Sequence, residues 1–261
     1  MNYKLFSGPV VFSPDGKYVA SGGCDKVDDL YNCTLGIVRI KQMVNGQQIA
    51  QITHGLNVPS LAFRPDGKYL VTGGCDRKTD SGNCDFGSIR VWDVANWQEI
   101  AHMMQEGGIV SVIFSPDGRY VMSGGEDGTA RVWDVTSKQE ITRMNHGATE
   151  YSYSVDLSQD GLYMVSGSDL DNTVRVWEIA SGEEIVHMTH ESKSGVFAAA
   201  FSPNGRYVAS GSSDSTARVW DISTGLEIAR ISHKSTVSSV AFSPDGQYVV
   251  SGSSLDNTAR G

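Results

Sequence analysis

Imidazole, hydroxyl and carboxylate side chains recur along this 261-residue chain at near-fixed spacing. Histidines stand at His54, His146, His190 and His233. Hydroxyls stand at Thr72, Ser123, Ser166, Ser210 and Ser251. Carboxylates stand at Asp127, Asp171, Asp214 and Asp256, each four residues before an arginine. A histidine, a serine and an aspartate brought together could run nucleophilic hydrolysis, with the imidazole as base and the carboxylate orienting it. A catalytic set is expected once in a chain, whereas these residues return from unit to unit. Their recurrence therefore argues for a structural role. Cysteine offers a second chemistry. It occurs only as Cys24, Cys33, Cys75 and Cys84, two pairs with the same nine-residue offset. Both pairs begin Cys-Asp and end Asn-Cys.

The elements that position these residues follow from one repeated phrase. FSPDG or a close variant is anchored at Phe12, Phe63, Phe114, Leu157, Phe201 and Phe242, with steps of 51, 51, 43, 44 and 41 residues. A period in that range means one supersecondary unit copied side by side. In the fifth unit, Ala199 and Phe201 share one strand face. Pro203-Asn204-Gly205 is a tight turn, with proline presetting φ and glycine accepting positive φ. Tyr207–Ala209, Thr216–Asp221 and Glu227–Ile231 supply three further strands. Four short strands with turn signals every ~8–12 residues predict all-β structure.

The cysteine pairs bound insertions of about eight residues between the second and third strands of units one and two. If the two cysteines of a pair stand directly opposite, their Cβ atoms lie close enough for a disulfide across the hairpin base. A zinc site built from all four is the alternative, although its usual ligand spacing is shorter; free thiols are a third reading. Asp25, Asp28, Asp29, Asp76 and Asp80 lack the spacing and central glycine of a calcium loop and read as a solvated acidic hairpin.

These residues resemble the WD-repeat family. Trp-Asp stands at Trp92-Asp93, Trp133-Asp134 and Trp220-Asp221, with the variant Trp177-Glu178. The resemblance covers nearly the whole chain. It implies a single β-propeller over residues 1–261, built of four-stranded antiparallel blades, with six units of which five are complete and the sixth truncated. It further implies that the histidine, hydroxyl, aspartate and tryptophan of each unit form a buried hydrogen-bonded network. The first unit departs from the pattern, with Lys41 and Gln42 at the Trp-Asp position. The third has Gln105 where histidine is expected. Both blades should be less tightly specified. Three explanations of the cut sixth unit stay open: a longer parent, closure by the N-terminus, or completion by another chain.

The net charge of −9 and the scattered Lys and Arg argue against nucleic acid. No apolar run approaches the ~20 residues that span a bilayer. The N-terminus has no secretory pattern, which sets a cytoplasmic default; disulfides would instead suit an oxidising compartment. No cofactor is expected. In the family, the loops between strands two and three share a face with the blade-joining loops, and that face is the usual docking surface. The resemblance thus implies a non-catalytic module for a protein or peptide partner. The face would carry Leu30, Tyr31 and Phe86 in or beside the hairpins. Asn57, Glu150, Tyr151, Lys193 and Lys234 would stand on the joining loops. Self-association through the open sixth blade is the alternative, and a central-channel enzyme ranks below it.

Overall fold

A computed structural model describes residues 7–27, 33–79, 82–146, 152–168, 171–191, 194–253 and 258–261. Its strands form six sheets, five of four strands and one of three, each in simple chain order. The chain is all-β, a propeller of antiparallel blades whose sixth is short by one strand. Among the described residues no helix is long and apolar enough to cross a membrane. Two compact units divide the chain: Met1–Glu126 with Trp133–Ile141, and Asp127–Val132 with Thr142–Gly261.

The first unit holds blade one (Ser7–Phe12, Tyr18–Val27, Cys33–Gln42, Gln48–Thr53) and blade two (Ser60–Phe63, Tyr69–Lys78, Cys84–Asp93, Glu99–Glu106). It also holds the first two strands of blade three, Ile109–Phe114 and Tyr120–Gly125. Its cores are apolar side chains of successive blades. Ala20, Val38, Ile40, Leu61, Leu70 and Trp92 make one cluster; Val71, Ile89, Val91, Ile109, Phe114 and Trp133 make another. The second unit holds blade four (Ser152–Leu157, Tyr163–Ser168, Thr173–Glu178, Glu184–Thr189), blade five (Val196–Phe201, Tyr207–Ser212, Thr216–Asp221, Leu226–Ser232) and blade six (Val237–Phe242, Val249–Ser253, Thr258–Arg260). There Phe201 of blade five packs back onto Val165 and Val176 of blade four. The strand glycines permit this closeness. A Cβ on Gly167 or Gly211 would stand 2.8 or 2.7 Å from a methyl of Val196 or Val237 in the next blade.

The repeated phrase is a self-contained turn. In blade five the Ser202 hydroxyl donates to Asn204 at 2.7 Å and accepts from the Tyr207 N–H at 2.9 Å, while Asn204 also accepts from the Arg206 N–H at 3.0 Å. Ser13 with Asp15 and Ser115 with Asp117 repeat the arrangement in the first unit. Such side-chain-to-backbone bonds fix the turn locally. A second turn, between strands three and four, ends on a left-handed residue. Gly46, Gly182 and Gly225 hold that place with φ near +70, but Lys138 and Trp97 hold it with φ of 60 and 59. A non-glycine residue is strained there by about 1–2 kcal/mol. Trp97 offsets the strain by lying against blade one, edge-on to Tyr18 at 6.1 Å between ring centroids.

Candidate interaction site

The recurring polar residues meet inside the blades. In blade five the Trp220 indole N–H donates to the Ser210 hydroxyl at 2.7 Å. His190 Nε2 meets the same oxygen at 2.7 Å, and its Nδ1 lies 2.9 Å from Asp214. Asp214 also accepts from the Thr216 hydroxyl at 2.6 Å and from Arg218 at 2.6 Å. Burial opposes its charge, but the bonds from His190 and Thr216 hold this carboxylate well below the usual range. In blade four His146 and Trp177 converge on Ser166 at 2.6 and 2.7 Å, and Arg175 grips Asp171. Blade six joins His233 to Ser251 at 2.8 Å and to Thr258 at 3.1 Å. Asp127 is bound by Arg131 and by the Thr129 hydroxyl. These serines are fully buried and their oxygens are already engaged. The arrangement pairs nearly all of these buried polar groups, as an interior requires; His146 Nδ1, 3.7 Å from Asp171, is the exception, and the three serine hydroxyls are not presented to a substrate.

The first unit uses the same chemistry with different residues. In blade two His54 bridges Thr72 at 2.7 Å and Ser88 at 3.1 Å, and Trp92 donates to Thr72 at 2.9 Å. Burial pushes the His54 imidazole down to about 4. In blade three Gln105 occupies the histidine place. It is buried, accepts from the Ser123 hydroxyl at 2.8 Å, and that hydroxyl accepts from Trp133 at 2.9 Å. The expectation of a loosened third blade is therefore corrected, because the amide supplies the missing acceptor.

A second correction concerns the acidic residues of the hairpins. Asp76 is not a solvated loop residue. It takes a 2.8 Å bond from Arg90, both side chains largely buried, and Asp25 takes the matching bond from Arg39 at 2.8 Å. Burial raises the Asp76 carboxyl, but the Arg90 guanidinium overrides it and holds the group below its ordinary value. Both stand four residues after the strand hydroxyl, Ser21 or Thr72, as Asp127 and Asp214 follow Ser123 and Ser210. That offset was the signal for them. Counting back from the arginine hides it, because the insertion lies between.

The cysteines are joined as Cys24–Cys33 and Cys75–Cys84, with Cα separations of 5.7 and 5.9 Å. Sulfurs so bonded cannot serve as thiolate ligands to zinc. The partners do not stand directly opposite. Cys24 faces Gly36 and Cys33 faces Val27; Cys75 faces Gly87 and Cys84 faces Lys78. Register shifts after Cys24 and Cys75 bring the sulfurs together across the ladder instead. The insertions thus prolong strands two and three of each blade.

The two hairpins and the loop joining blades one and two converge. The Leu56 N–H donates to the Cys75 carbonyl at 2.6 Å, and the Cys75 N–H donates to the Asn57 side chain at 2.9 Å. Between them lies a cleft of about 450 Å³. Cys33 and Thr34 of the first hairpin form one wall, Asp76–Thr79 and Gly82 of the second form the other, and Leu56 adds an apolar patch. Phe86 stands beside it, half-buried, with the Arg77 guanidinium 4.6 Å over its ring and tied to Asp85. Asn57 is exposed, and its side-chain oxygen accepts the Cys75 N–H at the hairpin base. Lys234 belongs to the second unit and is exposed. Leu30, Tyr31, Glu150, Tyr151, Lys193 and Asp256 lie outside the described residues, as do Asp28, Asp29 and Asp80.

Comparison with known proteins places these features in a family. Residues 10–27, 46–79, 98–134, 139–178, 183–221 and 226–260 match "WD domain, G-beta repeat". Among curated proteins the chain is similar to Protein HIR1 of Eremothecium gossypii, 28% identical over 123 residues, or 44% of this chain and 14% of that protein. It is similar to the Periodic tryptophan protein 2 homolog of Neurospora crassa, 31% identical over 125 residues, 44% of this chain and 12% of that protein. Protein HIR1 of Kluyveromyces lactis is 23% identical over 126 residues, 45% of this chain and 14% of that protein. The matched part is thus about one seventh or less of each relative's length. With six matched repeats over most of its length, the chain belongs to the WD-repeat family.

Proposed function

We propose that this chain is a non-catalytic docking scaffold, and that a protein or peptide partner seats in the cleft between its two disulfide-tied hairpins. The observation that carries the reading is the convergence of both hairpins with the 54–59 loop on one cleft. Its walls offer an apolar patch at Leu56 and cations at Arg77 and Lys78. Loops on a rigid sheet scaffold commonly carry recognition, and the disulfides pre-organise them, which lowers the entropy lost on binding. Membership of the WD family and the buried networks both favour a scaffold over an enzyme. Leu30 and Tyr31, in the sequence of the first hairpin, remain candidates for the same site, whereas Glu150, Tyr151 and Lys193 belong to the second unit. Disulfides persist in oxidising compartments, so a cytoplasmic protein would hold these hairpins reduced; non-reduced intact mass of the native protein decides between the two.

The test is selection of a phage-displayed peptide library on the oxidised chain, followed by fluorescence polarisation. A selected peptide should bind Leu56→Asp at least about tenfold more weakly than wild type. Equal affinity for both would remove the cleft from the site.

A second reading, self-association, rests on bare apolar faces. Val10 and Phe12 of blade one are 60% and 61% exposed, whereas their sisters Val112 and Phe114 are 4% exposed. Tyr248 and Val250 of blade six are likewise exposed. Inner blades cover these faces with a neighbouring blade. Light scattering at high concentration tests this reading; a strict monomer sinks it.

A further inference from the structure

Beyond the hairpin cleft, we infer a second docking site on the rim of the second unit, a groove that takes a tryptophan side chain of another protein with a carboxylate beside it. The groove lies between blades four and five and encloses about 420 Å³, within the usual size of small-ligand sites, ~300–1,000 Å³. Tyr163, Ile185, Phe201 and Ile222 are among its lining residues, and half of Ile185 is exposed. An apolar groove alone says nothing of what fills it. Here the chain supplies the answer, because it contains the same groove already filled.

Blades one and two form the sister groove. Counted from the repeat anchors, Tyr18 stands where Tyr163 does and Phe63 where Phe201 does; Ala50 pairs with Ile40 on strand three as Val186 pairs with Val176. Into it projects Trp97, packed among these side chains and edge-on to Tyr18. Trp97 stands five residues after Trp92, and the residue five after Trp220 is Gly225. The two turns are superposable in kind: φ is 59 at Trp97 and 70 at Gly225, and each N–H bonds the carbonyl four residues back, Asp93 or Asp221. The second groove therefore has the walls and the turn, but no side chain to plug it. At the corresponding turn of blade four, Gly182 lies so near Thr142 that an added Cβ would stand 2.7 Å from its methyl. At Gly225 the nearest atom, a methyl of Val186, is 3.1 Å from such a Cβ.

Charge narrows the occupant. Among the described lining residues Arg206 is the one with a charge. Its side chain is 64% exposed, lies 5.1 Å over the Tyr207 ring and meets Asp221 at 3.2 Å with two of its nitrogens, which uses only part of its five-donor fork. A carboxylate next to the incoming indole would pair with the remaining donors. The indole itself gains from an aromatic wall, as Trp97 does on Tyr18.

The test uses the chain's own plug as probe. An acetylated peptide Asp-Val-Ala-Asn-Trp-Gln, the sequence of residues 93–98, carries 5-fluorotryptophan and is titrated by fluorine NMR. Wild type is expected to bind it saturably, in the high-micromolar to millimolar range. Gly225→Trp should plug the groove as Trp97 plugs its sister, and weaken binding at least about tenfold. Ile185→Glu, at an exposed position, should weaken it comparably, and Leu56→Asp in the hairpin cleft should leave it unchanged. Lack of saturation, or equal binding by wild type and both rim variants, overturns the inference. Loss on Leu56→Asp alone would assign the probe to the hairpin cleft and overturn it too, while the library-selected peptides judge that cleft separately.

Discussion

Replacing Ser210 by alanine removes one oxygen from the centre of the blade-five network. That oxygen accepts the Trp220 indole N–H at 2.7 Å and meets His190 Nε2 at 2.7 Å, at a site with no exposure to solvent. Alanine keeps the strand and nearly the volume, so the loss is one of hydrogen bonding. Two buried polar groups, the indole and the imidazole, lose their partner, and each such group costs about 1–3 kcal/mol. The imidazole stays tethered to Asp214 at 2.9 Å, which limits its share. The expected destabilisation is therefore about 2–4 kcal/mol. Urea unfolding followed by tryptophan fluorescence and by circular dichroism measures it. Ser210→Thr is the control, because Thr72 plays the same part in blade two and should keep nearly full stability. Pairing Ser210→Ala with Trp220→Phe in a double-mutant cycle isolates the indole bond, with an expected coupling of about 1 kcal/mol. A loss under about 1 kcal/mol for Ser210→Ala, with alanine and threonine alike, would refute the reasoning that these residues act as a saturated structural network.

Other outcomes follow from the same geometry. Asp76→Ala should cost about 1–3 kcal/mol in urea unfolding, because it removes the closest partner of the largely buried Arg90 and leaves it Ser88 and Glu99 at 3.3 and 3.6 Å, whereas Asp25→Ala breaks a more exposed pair and should cost about 1 kcal/mol or less. Stability should fall as pH drops from about 6.5 toward 4: His54 is held neutral by burial with its value near 4, so the unfolded chain binds the extra proton in that window and above it the contribution is complete. His54→Gln, which mimics Gln105 of blade three, should flatten that slope in urea titrations across pH. Below about pH 4 a further loss should set in as Asp214 and Asp171 take up protons that their partners resist in the folded state. Cys24→Ser should lower the melting temperature slightly, since closing so short a loop contributes about 2–3 kcal/mol at most, while weakening a library-selected peptide severalfold in fluorescence polarisation.

The repeat phrase made the blades legible because its physics is local. Ser202, Asn204 and Gly205 fix their turn with bonds that span five residues or fewer, so spacing alone exposes them. The cysteine pairs were equally visible, but their register was not, since bulges after Cys24 and Cys75 depend on how the extended strands pair. Asp25 and Asp76 escaped a reading anchored on the arginine, because the insertion moved that anchor fourteen residues away. Gln105 looked like a defect in sequence; only burial beside Ser123 shows an amide doing the imidazole's work. The cleft at Leu56 and the contrast between Trp97 and Gly225 arise from neighbouring blades, so no single repeat announces them.

Hydrogen–deuterium exchange of the oxidised chain with a library-selected peptide tests the docking account most directly. Protection is expected in residues 33–36, 54–59, 75–79 and 82–84, the described segments that contain the cleft lining. Protection confined to other segments, with both hairpins exchanging as in the free protein, would contradict it.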